Sequence, residues 1–259
     1  MGLLVSLTLA GSFIISPSFA DAADLQTIKR RGRLVVAVKD NLPPLGFRDP
    51  NGQLQGFEID LARQVAKELL GDANAVELKP VLNQDRFQAV LNDQVDIAIA
   101  QMTLTPSRLR IFNFSLPYYQ DGTAIATQNP SIQTLDQLVG KPIAVLNGSS
   151  AVEALRRSLP GAILIPVKSY EAARVAVQTG QAIAVAADAT VLAGWVQKFP
   201  QYRLLAPVLS VQNLAIVLPK GQQYQDLQQQ IDQILSRLLS SGWLRQRANY
   251  WGLPRNLSF

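Results

Sequence analysis

Short, nearly uncharged runs at Leu34–Val38, Val95–Ile99, Pro142–Leu146, Ile163–Val167 and Ala182–Ala187, with a strand-like segment at Val76–Val81, are separated by segments with helical periodicity. Runs this apolar need a sheet covered on both faces, because a half-solvated strand would alternate with polar residues. The intervening helices supply the cover. Between Phe57 and Leu70, residues Phe57, Leu61, Val65 and Leu69 recur at four-residue steps to give one apolar face, with Gly71 as its stop. Strands alternating with such helices imply right-handed βαβ units in a mostly parallel sheet. Ligands of such sheets gather beyond the carboxyl ends of the strands. That rule puts the loop at 39–45 and the Gln101-to-Arg108 segment on one rim.

The pattern runs twice. Leu91 to Ala100 is echoed by Val177 to Ala186, each a helix end followed by a strand of small residues. With 259 residues the chain has room for two similar lobes rather than a repeat array. Further on, Leu214–Leu218 reads as one more strand. A final helix carries Tyr224, Leu227, Ile231, Ile234, Leu235 and Leu238 on one face, its glutamines on the solvated face. Trp243 and Trp251 are expected to pack this tail onto the core.

One local feature stands out. Past the Val95–Ile99 run, Thr105 suits a helix N-cap, Pro106 the first helical position, and Arg108 then falls in the first turn. A cation there faces the positive end of the helix dipole, a mismatch of ~0.3–1 kcal/mol that a bound anion would reverse. Two readings stay open from spacing: a solvated or internally paired arginine, or an anion-binding one.

Composition removes several classes. The formal charge is +5, yet the basic residues are scattered and the longest run is Lys29-Arg30-Arg31, so no nucleic-acid surface is expected. The chain contains no Cys and no His. Disulfides, a thioether-linked lipid anchor, and Ser-His-Asp or Cys-His catalysis are therefore excluded, and neither a metal site nor a cofactor is expected. Leu3 to Ile15 is an apolar stretch too short to span a bilayer, and Pro17-Ser18-Phe19-Ala20 resembles a small-residue cleavage site. Residues 1–23 therefore read as a signal peptide, cleaved near Ala20 or Ala23, although no Lys or Arg precedes the apolar stretch. A periplasmic location follows.

The order of motifs resembles family 3 of the bacterial solute-binding proteins, the polar amino-acid receptors of ABC transporters that include the glutamine- and histidine-binding proteins. The resemblance runs from about Leu34 to Gly252. It is carried by Gly56-Phe57-Glu58-Ile59-Asp60-Leu61-Ala62, the Val95-Asp96 to Arg108 segment, Phe114-Ser115 with Pro117-Tyr118-Tyr119, Leu138-Val139-Gly140-Lys141, and Gly242-Trp243. It implies an α/β fold of two Rossmann-like lobes with a two-strand hinge, the type II periplasmic-binding-protein architecture. Lobe 1 would be discontinuous, 24–120 plus 214–259, lobe 2 would span 124–209, and the hinge strands would lie near 120–124 and 209–213.

The implied function is capture of a free polar amino acid by lobe closure and its delivery to an ABC transporter permease, by a monomer without enzymatic activity. Matched position by position, Arg108 falls on the family's carboxylate-binding arginine and Thr103 on its carboxylate- and ammonium-contacting hydroxyl. Gln101 falls on a backbone-contact position, Ser149 and Ser150 on a turn that adds donors to the carboxylate, and Asp188 on the acid that takes the ammonium. Gly148 supports that turn. The sequence departs from familiar members at Lys39, where an aspartate is usual, and at Leu42 and Asn83, where aromatics are common. Either Lys39 faces the pocket, suiting an acidic or amide ligand such as glutamate or glutamine, or it points outward and Asp40 turns in. The alternative class is an enzyme on the same scaffold, similar to arogenate or prephenate dehydratases, with Glu153 as the nearest candidate acid.

Overall fold

Every residue of Leu34–Val38 is buried, as its unbroken apolar run requires. The computed structural model describes residues 23–254, so the expected signal peptide lies outside the described residues but for Ala23. In the first lobe, Leu34–Val38 pairs in parallel with Val76–Pro80 on one side and Ile97–Ile99 on the other. Gln212–Leu218 and then Asn113–Asp121 complete a five-stranded sheet as antiparallel additions. The second lobe repeats the scheme. Pro142–Leu146 lies between Ile163–Val167 and Ala184–Asp188, all parallel, and Thr123–Thr127 and Arg203–Leu205 follow antiparallel.

The chain crosses from the first sheet to the second between Asp121 and Thr123. It returns between Leu205 and Gln212. One apolar cluster passes through the crossing, joining Tyr118, Tyr119 and Phe57 of the first lobe to Ala124, Leu192 and Tyr202 of the second. Smaller clusters fill the far face of each sheet. A three-stranded sheet of Asn41–Leu42, Gly46–Arg48 and Leu54–Gln55 sits beside the first.

The motif residues have structural duties. Asp96, buried at the start of its strand, accepts from the Val35 N–H at 2.7 Å and the Ala23 N–H at 3.1 Å and pairs with Arg31. This ties the first helix, Leu25–Arg31, to the sheet; Gly32 ends that helix in the left-handed conformation. Asp60 accepts from Arg247 Nε at 3.0 Å and from the Trp251 indole N–H at 2.8 Å, anchoring the C-terminal helix Trp243–Tyr250. Trp243 packs on the core and Trp251 stands edge-on to Phe47 at 5.7 Å, so both tryptophans are used in packing. In the short helix Arg86–Leu91, Val90 is buried but Leu91 is 47% exposed.

Candidate functional site

The carboxyl ends of the parallel strands in both lobes open onto one cavity of about 670 Å³. Lys39 follows Leu34–Val38, and Gln101 and Thr103 follow Ile97–Ile99. From the second lobe, Asn147 to Ser150 follow Pro142–Leu146, Lys168 to Glu171 follow Ile163–Val167, and Asp188 ends its strand. All nine residues singled out from the sequence line it: Lys39, Leu42, Asn83, Gln101, Thr103, Arg108, Ser149, Ser150 and Asp188. Gly148 lines it too.

Thr105 caps as expected, its hydroxyl accepting from the Arg108 N–H at 3.3 Å, with Pro106 at the first helical position. The helix is a single turn, Pro106–Leu109, so it has almost no dipole, and the electrostatic oddity inferred from spacing disappears. What directs Arg108 is its side chain. Nη1 donates to the Thr103 carbonyl at 2.8 Å, and the guanidinium lies over the Phe87 ring with its carbon 4.6 Å from the centroid. Burial and the neighbouring Arg86 pull its pKa down to about 10, with Asp188 acting the other way.

Lys39 turns inward and Asp40 outward. Lys39 is 2% exposed and donates from Nζ to the Val81 carbonyl at 2.8 Å, whereas Asp40 pairs with Arg48 at 3.2 Å. Desolvation, then the Arg86 charge, lower the lysine to about 8 against Asp40, Glu58 and Asp85. Asn83 presents a buried Oδ1 without a hydrogen-bond partner.

Gln101 departs from its expected backbone role. Its N–H is spent on Glu58 Oε1 at 2.7 Å and its carbonyl accepts from Arg86 Nη1 at 2.7 Å, while the side chain faces the second lobe. Ser149 is likewise committed, its N–H and hydroxyl both donating to the Leu146 carbonyl at 3.1 and 2.8 Å. The Thr103 hydroxyl makes a long contact, 3.4 Å, to Gln212 Oε1. Asp188 starts helix Ala189–Lys198 without capping it, and its Oδ2 accepts from Gln101 Nε2 at 2.6 Å. Burial raises its carboxyl to about 6, against Arg86 and Arg108. Asp121, at the first crossing, is raised to about 8 by burial and by Asp188.

Sequence reasoning missed Arg86, Phe87, Asn147, Lys168, Tyr170 and Glu171 as cavity residues, and Glu58 beneath it. Arg86 donates from Nη1 to the Ala100 and Gln101 carbonyls, and its Nε is buried without a partner. In a short amphipathic helix it reads as solvent-facing. The available signal was position, since Arg86 and Tyr170 each open a helix on the carboxyl rim of a parallel strand. Among the described residues no group of His, Cys, Asp or Glu side chains is placed to hold a metal.

Two α/β lobes clasping one cavity, with the chain crossing twice between them, define the type II periplasmic-binding-protein fold, an architecture of solute receptors. The chain belongs to the bacterial extracellular solute-binding proteins, family 3, whose model matches residues 34–254. It is 33% identical over 189 residues to the glutamine-binding protein of Geobacillus stearothermophilus, covering 72% of each chain. It is 28% identical over 258 residues to the L-cystine-binding protein TcyJ of Escherichia coli (strain K12), covering 97% of this chain and 93% of that one. Among solved structures, an ancestral arginine-binding protein bound to glutamine superposes with a TM-score of 0.74 at 31% identity, covering 85% of this chain and 98% of that one. The family consists of solute-binding proteins, so the enzyme alternative gives way. Glu153, its candidate acid, is exposed and does not line the cavity.

Proposed function

We propose that the protein captures a free polar L-amino acid by closing its lobes and delivers it to the permease of an ABC transporter. The observation that carries this reading is that Arg108 and Asp188 face the same cavity from opposite lobes. A zwitterion needs a guanidinium for one end and a carboxylate for the other, and each pole is worth more away from bulk water. Arg108 takes the α-carboxylate, helped by Thr103 and Ser150 and by Ser149 once its hydroxyl turns from the Leu146 carbonyl, and Asp188 takes the ammonium. Lobe 1 comprises 24–120 plus 214–259 and lobe 2 comprises 124–209, closing about 120–124 and 209–213.

Lys39, Arg86, Arg108 and Lys168 outnumber the acids Glu171 and Asp188 that line the site, and Glu58 beneath it is committed to Tyr118 and the Gln101 N–H. A cationic ligand side chain would add repulsion there. Glutamate or glutamine fits, its side chain reaching Lys39 and Asn83 with Leu42 as an apolar wall. The names of relatives, among them glutamine-binding and L-cystine-binding proteins, support the amino-acid class. Residues 1–23 are the export signal, and the mature protein works as a periplasmic monomer. Titration calorimetry with the twenty amino acids tests the reading. Glutamate or glutamine is expected to bind in the micromolar range or tighter, Asp188→Asn to bind at least about 100-fold more weakly, and Lys39→Met to lose the preference for glutamate over arginine. Equal affinity of wild type and Asp188→Asn for the same amino acid would refute the assignment of the ammonium pole.

A further inference from the structure

Gln101 occupies backbone that its residue type disfavours. Its φ is 54°, in the left-handed region, and among the described residues Asp93 is the one other non-glycine there. Such a conformation persists only where its surroundings over-determine it, and it clusters at functional sites. Here Glu58 holds the N–H and Arg86 the carbonyl, both within lobe 1. The consequence is directional: the left-handed turn aims the side chain out of lobe 1 and across the cleft. There Nε2 donates to Asp188 Oδ2 at 2.6 Å, between residues that are 3% and 9% exposed. The Tyr170 hydroxyl, also from lobe 2, interacts with the same side chain.

We propose that Gln101 is a cross-cleft latch, its carboxamide holding the Asp188 carboxylate so that the lobes are drawn together by the protein alone, and that an incoming ammonium takes Asp188 over from it. The second half rests on the zwitterion reading above; the first does not. The exchange is favourable in charge, because a neutral amide gives way to a cation with three donors against a desolvated carboxylate. The displaced amide keeps Tyr170 as a partner. A latched population is not competent to bind, so the latch lowers apparent affinity by the fraction it sequesters and slows association.

Gln101→Asn separates the latch from the backbone it stands on. Asparagine tolerates the left-handed region but is one methylene too short to keep the contact. Small-angle scattering of the full protein without added amino acid is expected to give a larger radius of gyration for Gln101→Asn than for wild type, the difference vanishing on saturation with the bound amino acid. Tyr170→Phe, which leaves the lobe 1 backbone untouched, shifts the same way by less. In stopped-flow tryptophan fluorescence Gln101→Asn associates with the ligand at least about threefold faster. Equal radii for wild type and both variants without amino acid would overturn the latch, as would an unchanged association rate. Scattering without ligand decides the first half even if no amino acid binds, so failure of the latch and failure of the zwitterion reading are read separately.

Discussion

Arg108 and Lys39 owe their chemistry to what surrounds them. Burial together with Arg86 brings Lys39 down to about 8, and burial alone accounts first for Asp188 near 6. Glutamate affinity is therefore expected to follow a bell-shaped pH profile. Below about 6 Asp188 takes up a proton and loses the ammonium, and above about 8 Lys39 gives one up and loses its pull on the side chain. Stability without ligand moves the other way at the acid limb. A carboxyl raised from 3.8 to about 6 contributes stability that is complete below 3.8 and is lost as pH rises through 6. Calorimetry and thermal melts across that range check both signs; affinity that is flat through both limbs would show that neither group meets the ligand. The capped turn that carries Arg108 was legible from Thr105 and Pro106, but its role came from the resemblance, since spacing left it open. The inward turn of Lys39 was not legible, because Lys39 and Asp40 are adjacent and the choice is made by Arg48, which holds Asp40 outside.

At the scale of elements, two glycines mark where backbones meet too closely for a side chain. A Cβ on Gly194, within helix Ala189–Lys198 of lobe 2, would lie 2.5 Å from the Pro43 carbonyl oxygen of lobe 1. Gly194→Ala ought to stabilise an isolated helix by ~1 kcal/mol, yet here the methyl group props the lobes apart. Amino-acid affinity is expected to fall about tenfold, ~1.4 kcal/mol, while helix content by circular dichroism holds. Unchanged affinity would mean that this contact is not part of closure. Gly56 has φ 129° and its Cβ would run into the Leu45 carbonyl, so Gly56→Ala should lower the melting temperature by about 5 °C or more, with or without ligand. The helices and parallel strands were readable from period and caps: Gly32 and Gly71 stop their helices, and Ser169 caps Tyr170–Gln178 through the Ala172 N–H. The single turn at Pro106–Leu109 was overread as a dipole, since Phe112 and Phe114 lead back into the core and leave no room for a second turn.

Across the whole molecule, the same sheet plan built twice places two carboxyl rims on one cavity, and the chain crosses between the two sheets twice. The duplication was visible where the Leu91-to-Ala100 pattern recurs at Val177 to Ala186. The discontinuity of the first lobe came from the resemblance alone, because nothing in Gln212–Leu218 itself says that it lies between Ile97–Ile99 and Asn113–Asp121. Lobes that share one site should be stabilised together by whatever fills it, in proportion to occupancy. The account's central claim is that Arg108 holds the carboxylate of a free amino acid inside this clasp. It is tested most directly by the melting temperature of wild type and Arg108→Ala with each of the twenty amino acids at millimolar concentration. Glutamate or glutamine should raise the wild-type melting temperature by several degrees and leave Arg108→Ala unmoved; no rise with any amino acid, or an equal rise in both proteins, would contradict it.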